Sequence, residues 1–424
     1  MSYSEKLLDE IQKHNFSNNN ILLKKALQND DNNVLIDLAE NLLGFGFTDL
    51  AKTVYMHLIK TFPDEGVFKV YLAEILLNDG DEDQGLQLLY DIKPSGSGYI
   101  ESLLAQADYY QTNGCFDVAE DKLKQALALR KDEPAIIFGC AEINYLKGSY
   151  DSAMQYYQEL LDQGNKTFGE VAISQRIMSC LAKMGKYEEA AEVIQNNMDS
   201  LLNIDSQYDA GLIMMATSNW KQAIKLFQAV IDSQPDYVNV YPNLAKAYFN
   251  IGELNKALVV ANAGISYNEY DISLYRIGSK AALSLKDYDQ AQQILEKGVD
   301  ILSNNDDLKL DLSNLYIITN QDKNNILLLS HDNDNDNDND NDNQHDPQLI
   351  WNLAISYQRT ENYQKAKEQF LLAYPNFKNN ADFLRQLALF FHEIGDTHDF
   401  KLVLKKYIEM VPEDIEMQDL LTEL

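Results

Sequence analysis

Residues 114–153 read GCFDVAEDKLKQALALRKDEPAIIFGCAEINYLKGSYDSA, and the start of this stretch returns at its end. GCFDVA at 114–119 is followed 34 residues later by GSYDSA at 148–153, and GKYEEA occupies 185–190. In each copy a glycine and an aromatic residue precede an alanine at fixed spacing. A period of this length is the signature of a repeat protein, in which every repeat is one supersecondary unit. The chain is therefore predicted to be an array of repeats.

Eleven repeats follow when this frame is extended in both directions. They begin near Asn32, Gly66, Ile100, Pro134, Val171, Ile204, Val238, Ile272, Asp306, Pro347 and Ala381. The eighth and twentieth positions are mostly small, as Ala39 and Ala51 are in the first repeat, and the fifteenth is often glycine. Small side chains let two helices cross closely, and glycine suits the left-handed turn after a helix. Each repeat is therefore predicted to be an antiparallel pair of helices, in an all-α fold.

The small residues at positions 8 and 20 and the proline at position 32, seen as Pro63, Pro235 and Pro412, resemble the tetratricopeptide repeat family. The resemblance covers about residues 32–412. It implies a right-handed superhelical solenoid of about 11 helix-turn-helix units with terminal capping helices. The order of the repeats, with the segments 62–77 and 373–377, is also similar to the YpiA-like proteins, a cytoplasmic group in low-GC Gram-positive bacteria.

The domain organisation predicted from this frame has five parts. They are N-terminal capping helices at 1–31, repeats one to nine at 32–330, an acidic Asp-Asn loop at 331–346, repeats ten and eleven at 347–412 and a C-terminal capping helix at 413–424. The terminal helices are expected to cover apolar faces that the end repeats would otherwise expose. The loop contains six consecutive Asp-Asn pairs and is expected to be flexible. Calcium binding there is disfavoured, because the loop lacks the glycine and the final glutamate of an EF-hand.

Composition restricts the function classes. The chain of 424 residues carries 35 Lys and Arg against 66 Asp and Glu, a formal net charge of −31. Such a polyanion repels nucleic-acid phosphates and anionic lipid surfaces, so neither is an expected partner. Three cysteines make a disulfide framework or a zinc site improbable, and the sequence has no apolar run long enough to cross a membrane. We therefore expect a cytoplasmic protein.

Motifs that carry catalysis are missing from the sequence. It contains no glycine-rich phosphate loop, no nucleophile elbow and no zinc-protease helix. His392 and His398 lie six residues apart across a predicted turn, but no third partner accompanies them. The protein is predicted not to be an enzyme and to use no cofactor or metal.

The rare cations give the sharpest prediction about a binding surface. The tetratricopeptide resemblance implies that the first helix of each repeat lines a concave groove. Its polar candidates are Arg176, Asn243, Lys246, Arg276, Lys280, Asn352, Arg359 and Arg385, with Gln386 beside them. Arginine grips carboxylates with a planar fork, so the groove between repeats seven and eleven is predicted to bind a peptide with acidic side chains or a free C-terminus. The alternative is that these arginines form salt bridges between repeats.

Aromatic residues on first helices give a second candidate surface. Phe138 and Tyr145 in the fourth repeat and Tyr208 in the sixth can accept a partner helix, or they can pack against a neighbouring repeat. The function predicted from all these features is a non-catalytic scaffold that binds a peptide or helix in its groove. The alternative is a peptide-sensing cytoplasmic regulator whose array changes curvature on ligand binding. The sequence predicts a protein or peptide partner and leaves the oligomeric state open.

Overall fold

The computed structural model describes residues 1–197, 203–330 and 346–422. Most of these residues are helical, and the chain divides into two compact units, Met1–Leu202 and Asn203–Leu424, called here the N-terminal and C-terminal units. The all-α fold class is confirmed. The predicted loop at 331–346 lies outside the described residues except for Asp346, so the calcium alternative and the loop as a hinge stay predictions.

The N-terminal unit contains twelve helices and one short hairpin within its described residues. They are α1 (Tyr3–Gln12), α2 (Asn19–Asn29), α3 (Asn32–Gly44), α4 (Thr48–Thr61), α5 (Val67–Asn78), α6 (Glu82–Tyr90), α7 (Tyr99–Thr112), α8 (Phe116–Leu129), α9 (Pro134–Leu146), α10 (Tyr150–Asp162), β1 (Thr167–Phe168), β2 (Val171–Ala172), α11 (Ile173–Lys183) and α12 (Tyr187–Asn196).

The C-terminal unit is built from helices throughout its described part. They are α13 (Ile204–Ala216), α14 (Trp220–Ser233), α15 (Val240–Asn250), α16 (Leu254–Tyr267), α17 (Ile272–Ser284), α18 (Tyr288–Ile301), α19 (Asp306–Ile318), α20 (Asp322–Ser330), α21 (Pro347–Arg359), α22 (Tyr363–Phe377), α23 (Ala381–Glu393), α24 (Thr397–Met410) and α25 (Ile415–Thr422).

Small residues lie where paired helices cross, as the repeat pattern predicts. Ala39 on α3 and Ala51 on α4 have no exposed surface, and neither do Ala141 on α9 and Ala153 on α10. The close approach leaves room for large residues around each crossing, and Tyr157 is fully buried beside the last pair. The prediction of helix pairs packed through small residues is confirmed.

The turn inside each repeat places its fifteenth residue in the left-handed region. Gly114 has φ +72° between α7 and α8, a conformation that costs glycine little. In the C-terminal unit the same position is often not glycine, and Lys286 adopts φ +62° between α17 and α18. A side chain in this region costs roughly 1 kcal/mol or more, so these turns carry backbone strain that the glycine turns avoid.

Helices beyond the repeat frame are present at both ends. The Asp30 carboxylate, after α2, accepts hydrogen bonds from the backbone N–H groups of Tyr3 (3.1 Å) and Ser4 (2.6 Å), which begin α1. Leu7 on α1 is fully buried, and α1 packs against α3. At the other end Met417 on α25 is fully buried. Both terminal segments therefore bury apolar surface of the neighbouring repeats.

The antiparallel hairpin β1–β2 interrupts the helical frame. It pairs Phe168 with Val171 and accounts for the longer step, 37 residues, between the fourth and fifth repeats. The fifth repeat was predicted to begin near Val171, but α11 begins at Ile173 because Val171 and Ala172 form the second strand. The ring of Phe168 stacks on that of Phe138 with centroids 4.4 Å apart.

Candidate functional site

Arg276 on α17 is held by two carboxylates of the next repeat. Its Nε donates to Asp311 Oδ2 at 2.8 Å and its Nη1 to Asp307 Oδ2 at 2.9 Å, both on α19. The guanidinium is thereby engaged within the chain, as the salt-bridge alternative states. A partner carboxylate would have to displace Asp307 or Asp311 before it could bind here.

The two arginines nearest the C-terminus are also paired. Arg385 on α23 donates to Asp414 at 3.2 Å and to Glu416 at 2.6 Å, and the Asp414 hydrogen bond raises the pKa of Arg385 above its ordinary value. Arg359 at the end of α21 donates to the backbone oxygen of Ile317 at 2.9 Å. The Arg385 contacts join the last repeat to the C-terminal segment, and the Arg359 contact joins neighbouring repeats.

Arg176 on α11 makes the most complete of these contacts. Its Nε and Nη2 donate to the two carboxylate oxygens of Glu142 on α9, at 2.9 and 2.8 Å. The guanidinium carbon lies 5.2 Å from the centre of the Tyr145 ring. Glu142 also accepts a hydrogen bond from Tyr157, so this cluster fixes α9, α10 and α11 relative to one another.

The predicted groove amides differ in exposure. Asn352 is only 3% exposed and donates to Ser313 Oγ (3.0 Å) and to Asn314 Oδ1 (2.8 Å), so the prediction that it lines an open groove is wrong. The reason is that it hydrogen-bonds across the α19–α21 packing. Asn243 on α15 is half-buried and donates to the Tyr208 hydroxyl at 3.0 Å. Gln386, on α23, accepts from the Trp351 indole at 3.0 Å.

Lys246 and Lys280 differ from the arginines. They occupy the ninth position of consecutive repeats, 34 residues apart, on α15 and α17, and these two helices pack against each other. Both side chains are exposed. Within the described part of the chain neither lysine forms an ion pair, so both ammonium groups are available to an incoming anion.

The aromatic candidates pack inside the chain. Phe138 contacts the rings of Phe168 and Tyr157, and the Tyr145 hydroxyl hydrogen-bonds to Ser179 Oγ at 2.7 Å. Tyr208 lies between the rings of Phe227 and Tyr237, with centroids 5.8 and 5.2 Å away. All three are partly buried by neighbours. These contacts match the packing alternative and leave little ring surface for a partner helix.

A row of carboxylates on the N-terminal unit was missed by the sequence analysis. The ninth positions of its first four repeats are Glu40, Glu74, Asp108 and Glu142. The signal was their spacing, which is 34 residues at every step. Apart from Glu142, no member of this row forms an ion pair among the described residues.

The carboxylates of this row influence one another. Burial raises the pKa of Glu74 above its ordinary value, and the negative charge of Asp108 raises it further. Both line a cavity of about 360 Å³ that also contains Glu82, whose carboxylate accepts a hydrogen bond from Tyr109 at 2.6 Å. The first helices of the N-terminal unit therefore present negative charge where α15 and α17 present lysines.

The described residues contain neither a metal-binding cluster of side chains nor a helix able to span a membrane. Across residues 1–197, 203–330 and 346–422, no group of three or more His, Cys, Asp or Glu side chains is placed to hold a metal ion. No helix found there combines the length and the apolar character needed to span a bilayer. His392 lies on α23 with its ring 5.0 Å from that of Phe400.

Three family models match parts of the chain. The model for YpiA-like, C-terminal tetratricopeptide repeats matches residues 347–414, and that for YpiA-like, tetratricopeptide repeats matches 111–165. The model for ChAPs, the Chs5p-Arf1p-binding proteins, matches 208–332. None of the three descriptions names an enzyme.

Similar proteins also carry this repeat. The TPR repeat-containing protein YpiA of Bacillus subtilis (strain 168) is 27% identical over 396 residues, which cover 93% of this chain and 91% of YpiA. Among solved structures, the C-terminal part of a TPR repeat-containing protein from Cytophaga hutchinsonii is 15% identical with a TM-score of 0.43, over 66% of this chain and 98% of that one. YrrB, described as a TPR protein with an unusual peptide-binding site, is 15% identical with a TM-score of 0.39, over 43% and 93%.

Proposed function

The chain is a tetratricopeptide repeat protein that resembles YpiA along almost its whole length, and from this premise we propose that it is a cytoplasmic, non-catalytic scaffold that binds a protein or peptide partner. The partner segment carries acidic side chains or a free C-terminal carboxylate. It binds on the first helices α15 and α17 of the C-terminal unit, at Lys246 and Lys280.

The observation that carries this proposal is the contrast between those two lysines and the arginines around them. Arg276 lies one turn from Lys280 on the same helix, but it already donates hydrogen bonds to Asp307 and Asp311 of the next repeat. Both lysines are exposed, and among the described residues neither has an ion-pair partner. Since the two lysines repeat at the same position of packed helices, they present two charges side by side to one bound segment.

The residues of this surface support an acidic partner segment. Lysine is a mobile point charge, so it suits carboxylates in several orientations, whereas the fork of Arg276 already donates to Asp307 and Asp311. Asn243 lies three residues before Lys246 on α15 and is half-buried, with its amide directed to Tyr208. The partner is therefore expected to contact the lysines through its carboxylates and the flanking helix surface through the rest of the segment.

The test is a binding titration with the double variant Lys246→Ser and Lys280→Ser. The probe is a fluorescently labelled peptide rich in Asp and Glu with a free C-terminus, and anisotropy gives its affinity. Loss of two charge contacts is expected to weaken binding by about 10-fold. The same peptide with Asn and Gln in place of its acids is expected to bind weakly to every variant.

The matched control removes the same charge elsewhere. Lys225 on α14 and Lys297 on α18 are exposed and belong to second helices of the same unit. The double variant Lys225→Ser and Lys297→Ser should bind the acidic peptide as the unchanged chain does. If both double variants lose affinity equally, the effect is general electrostatics and the proposed surface is wrong. If neither loses affinity, the lysines do not contact the peptide.

A further inference from the structure

A second surface, on a different part of the C-terminal unit, is an apolar groove between the second helices α22 and α24. Its floor is formed by Leu387 and Phe391 of α23, each about 1% exposed. Its walls carry Leu371 of α22 and Leu402 of α24, which are 49% and 59% exposed. Large apolar side chains left this exposed along one groove are characteristic of an interaction surface.

The groove has the size and shape of a binding site. Its volume is about 490 Å³, within the range of roughly 300–1,000 Å³ that ligand pockets occupy. Tyr374 and Val403 complete the wall and add an aromatic and a branched side chain. An open slot with an apolar floor between two helices accepts the apolar side chains of a third helix, in the manner of helix-in-groove recognition.

Cations line one edge of this groove. Lys405 and Lys406 on α24 contribute to its lining, and Lys401 lies one turn earlier on the same helix. Lys406 places its ammonium 5.4 Å from the centre of the Tyr374 ring. Over the described residues none of the three lysines forms an ion pair.

The groove is lined by fewer acidic residues than the three lysines of α24, and one of these acids forms an ion pair within the chain. Asp399 lies 3.6 Å from Lys367 Nζ, so its charge is directed to another helix, and Glu409 remains at the other end. The α24 edge thus carries a local excess of positive charge on a chain whose net charge is −31. A partner that pairs with this edge needs acidic side chains beside its apolar face.

We propose that the groove between α22 and α24 is a docking site for an amphipathic helix of a partner protein, with leucine-like residues at i, i+3 or i+4, and i+7 and with Asp or Glu along one flank. The apolar face occupies the slot between Leu371 and Leu402. The acidic flank pairs with Lys401 and Lys405. This site is independent of Lys246 and Lys280, so the two surfaces allow the scaffold to hold two segments.

The test uses a designed helical peptide of about 16 residues, roughly four turns, with that pattern and a fluorescent label. A second peptide has Lys in place of each Glu, and a third has Ala in place of each Leu. Anisotropy titrations on the full chain are expected to rank the Glu peptide at least about 10-fold above the other two. The variant Leu371→Asp with Leu402→Asp should lose the Glu peptide, and because both side chains are exposed this variant is expected to fold normally.

Charge reversal distinguishes specific binding in this groove from nonspecific binding of the peptide. In the variant Lys401→Glu with Lys405→Glu, preference is expected to shift from the Glu peptide toward the Lys peptide. The Lys225→Ser and Lys297→Ser variant, which changes neither proposed surface, serves as control and should bind the Glu peptide unchanged. The proposal is overturned if the Glu peptide does not bind, or if the leucine variant binds it normally. It is also overturned if the leucine variant converts a dimer into a monomer in sedimentation, since a second copy then occupies the groove.

Discussion

The N-terminal and C-terminal units use the same repeat but differ at two of its positions. At the ninth position the N-terminal unit has Glu40, Glu74 and Asp108, whereas the C-terminal unit has Lys246 and Lys280. At the fifteenth position five repeats of the N-terminal unit have glycine with positive φ. Those glycines are Gly46, Gly80, Gly114, Gly148 and Gly185. In the C-terminal unit Gly252 and Gly395 are equivalent to them, but the other repeats place Ser218, Lys286, Asn320 and Glu361 in the same conformation.

This contrast separates what the fold requires from what it leaves open. The eighth and twentieth positions are mostly small in both units because the helices cross there, as Ala153 and Ala257 illustrate with no exposed surface. The charged residues Glu40, Glu74, Asp108, Lys246 and Lys280 are exposed at the ninth position, so their charge is not dictated by packing. The repeat thereby allows opposite charges at equivalent exposed positions of the two units.

A convenient probe tells the two units apart in solution. Both tryptophans of the chain, Trp220 and Trp351, belong to the C-terminal unit. Tryptophan fluorescence therefore follows unfolding of that unit, whereas circular dichroism follows the helices of both. Because repeats interact mainly with their neighbours, a change in one unit is expected to act on that unit first.

The largest effect is expected from Glu120→Gln, which removes a paired carboxylate of the N-terminal unit. Burial raises the pKa of Glu120, but hydrogen bonds and charges from Lys124 and Lys147 outweigh it and lower the pKa to about 2. A lowered pKa contributes stability above the ordinary value near 4.5 and loses it as the pH falls toward 2. At pH 7 the variant should lose about 2 kcal/mol in denaturant unfolding followed by circular dichroism.

The pH dependence and a control make this prediction specific. The difference between the variant and the unchanged chain should shrink between about pH 4.5 and pH 2, because Glu120 takes up a proton in the unfolded chain over this range while it stays ionised in the folded chain. Glu159→Gln, at an exposed position of α10, should change stability by less than about 0.5 kcal/mol. A fluorescence midpoint that moves as much as the dichroism midpoint would contradict a local effect.

An intermediate effect is expected from exchanging the turn residues. Lys286→Gly should stabilise the C-terminal unit by up to about 1 kcal/mol, because glycine adopts φ near +62° without a Cβ clash. The converse, Gly114→Lys, should destabilise the N-terminal unit by a similar amount, since a Cβ there meets no atom within 4 Å and only the backbone is strained. Fluorescence detects the first change and dichroism the second. Equal signs for both variants would show that the turns are not equivalent.

The smallest effect is expected from Asp108→Asn in the carboxylate row. Removing this charge should move the pKa of Glu74 part of the way back toward its ordinary value, while the contribution of burial remains. A group with a raised pKa costs stability above its unfolded value, so the variant should gain slightly at pH 7 and not at pH 3. Carboxyl NMR titration of Glu74 measures the shift. The control is Asp108→Glu, which keeps the charge and should leave the pKa of Glu74 raised.

The 34-residue frame predicted the helix pairs well because the packing rule repeats. Asn32, Pro134, Ile204, Ile272 and Ala381 begin helices where the frame places them. The fifth repeat departs by two residues because the frame carries no information about a hairpin in the longer step. The backbone strain at Lys286 could not be predicted either. A lysine at the glycine position shows only that the sequence departs from the pattern, and it does not show that the residue keeps a positive φ.

The binding surface was predicted less well, because charge pairing depends on contacts between repeats. The partner of Arg176 is Glu142, 34 residues earlier, and that of Arg276 is Asp311, 35 residues later. The sequence alone could not decide whether these arginines form salt bridges between repeats or bind a ligand. Burial of Asn352 was not predictable from its position in the repeat, because the exposed or buried state of that position varies between repeats.

The hairpin β1–β2 distinguishes one junction between repeats from the others. Neighbouring repeats of similar sequence can exchange partners during folding, which is a characteristic failure of repeat proteins. Phe168 of the hairpin stacks on Phe138. Among the described residues there is no second hairpin that could make this contact at a different repeat. A chain that paired its repeats one step out of order would lose this stack. The hairpin thereby makes the junction of α10 and α11 a landmark that distinguishes correct assembly from a shifted one.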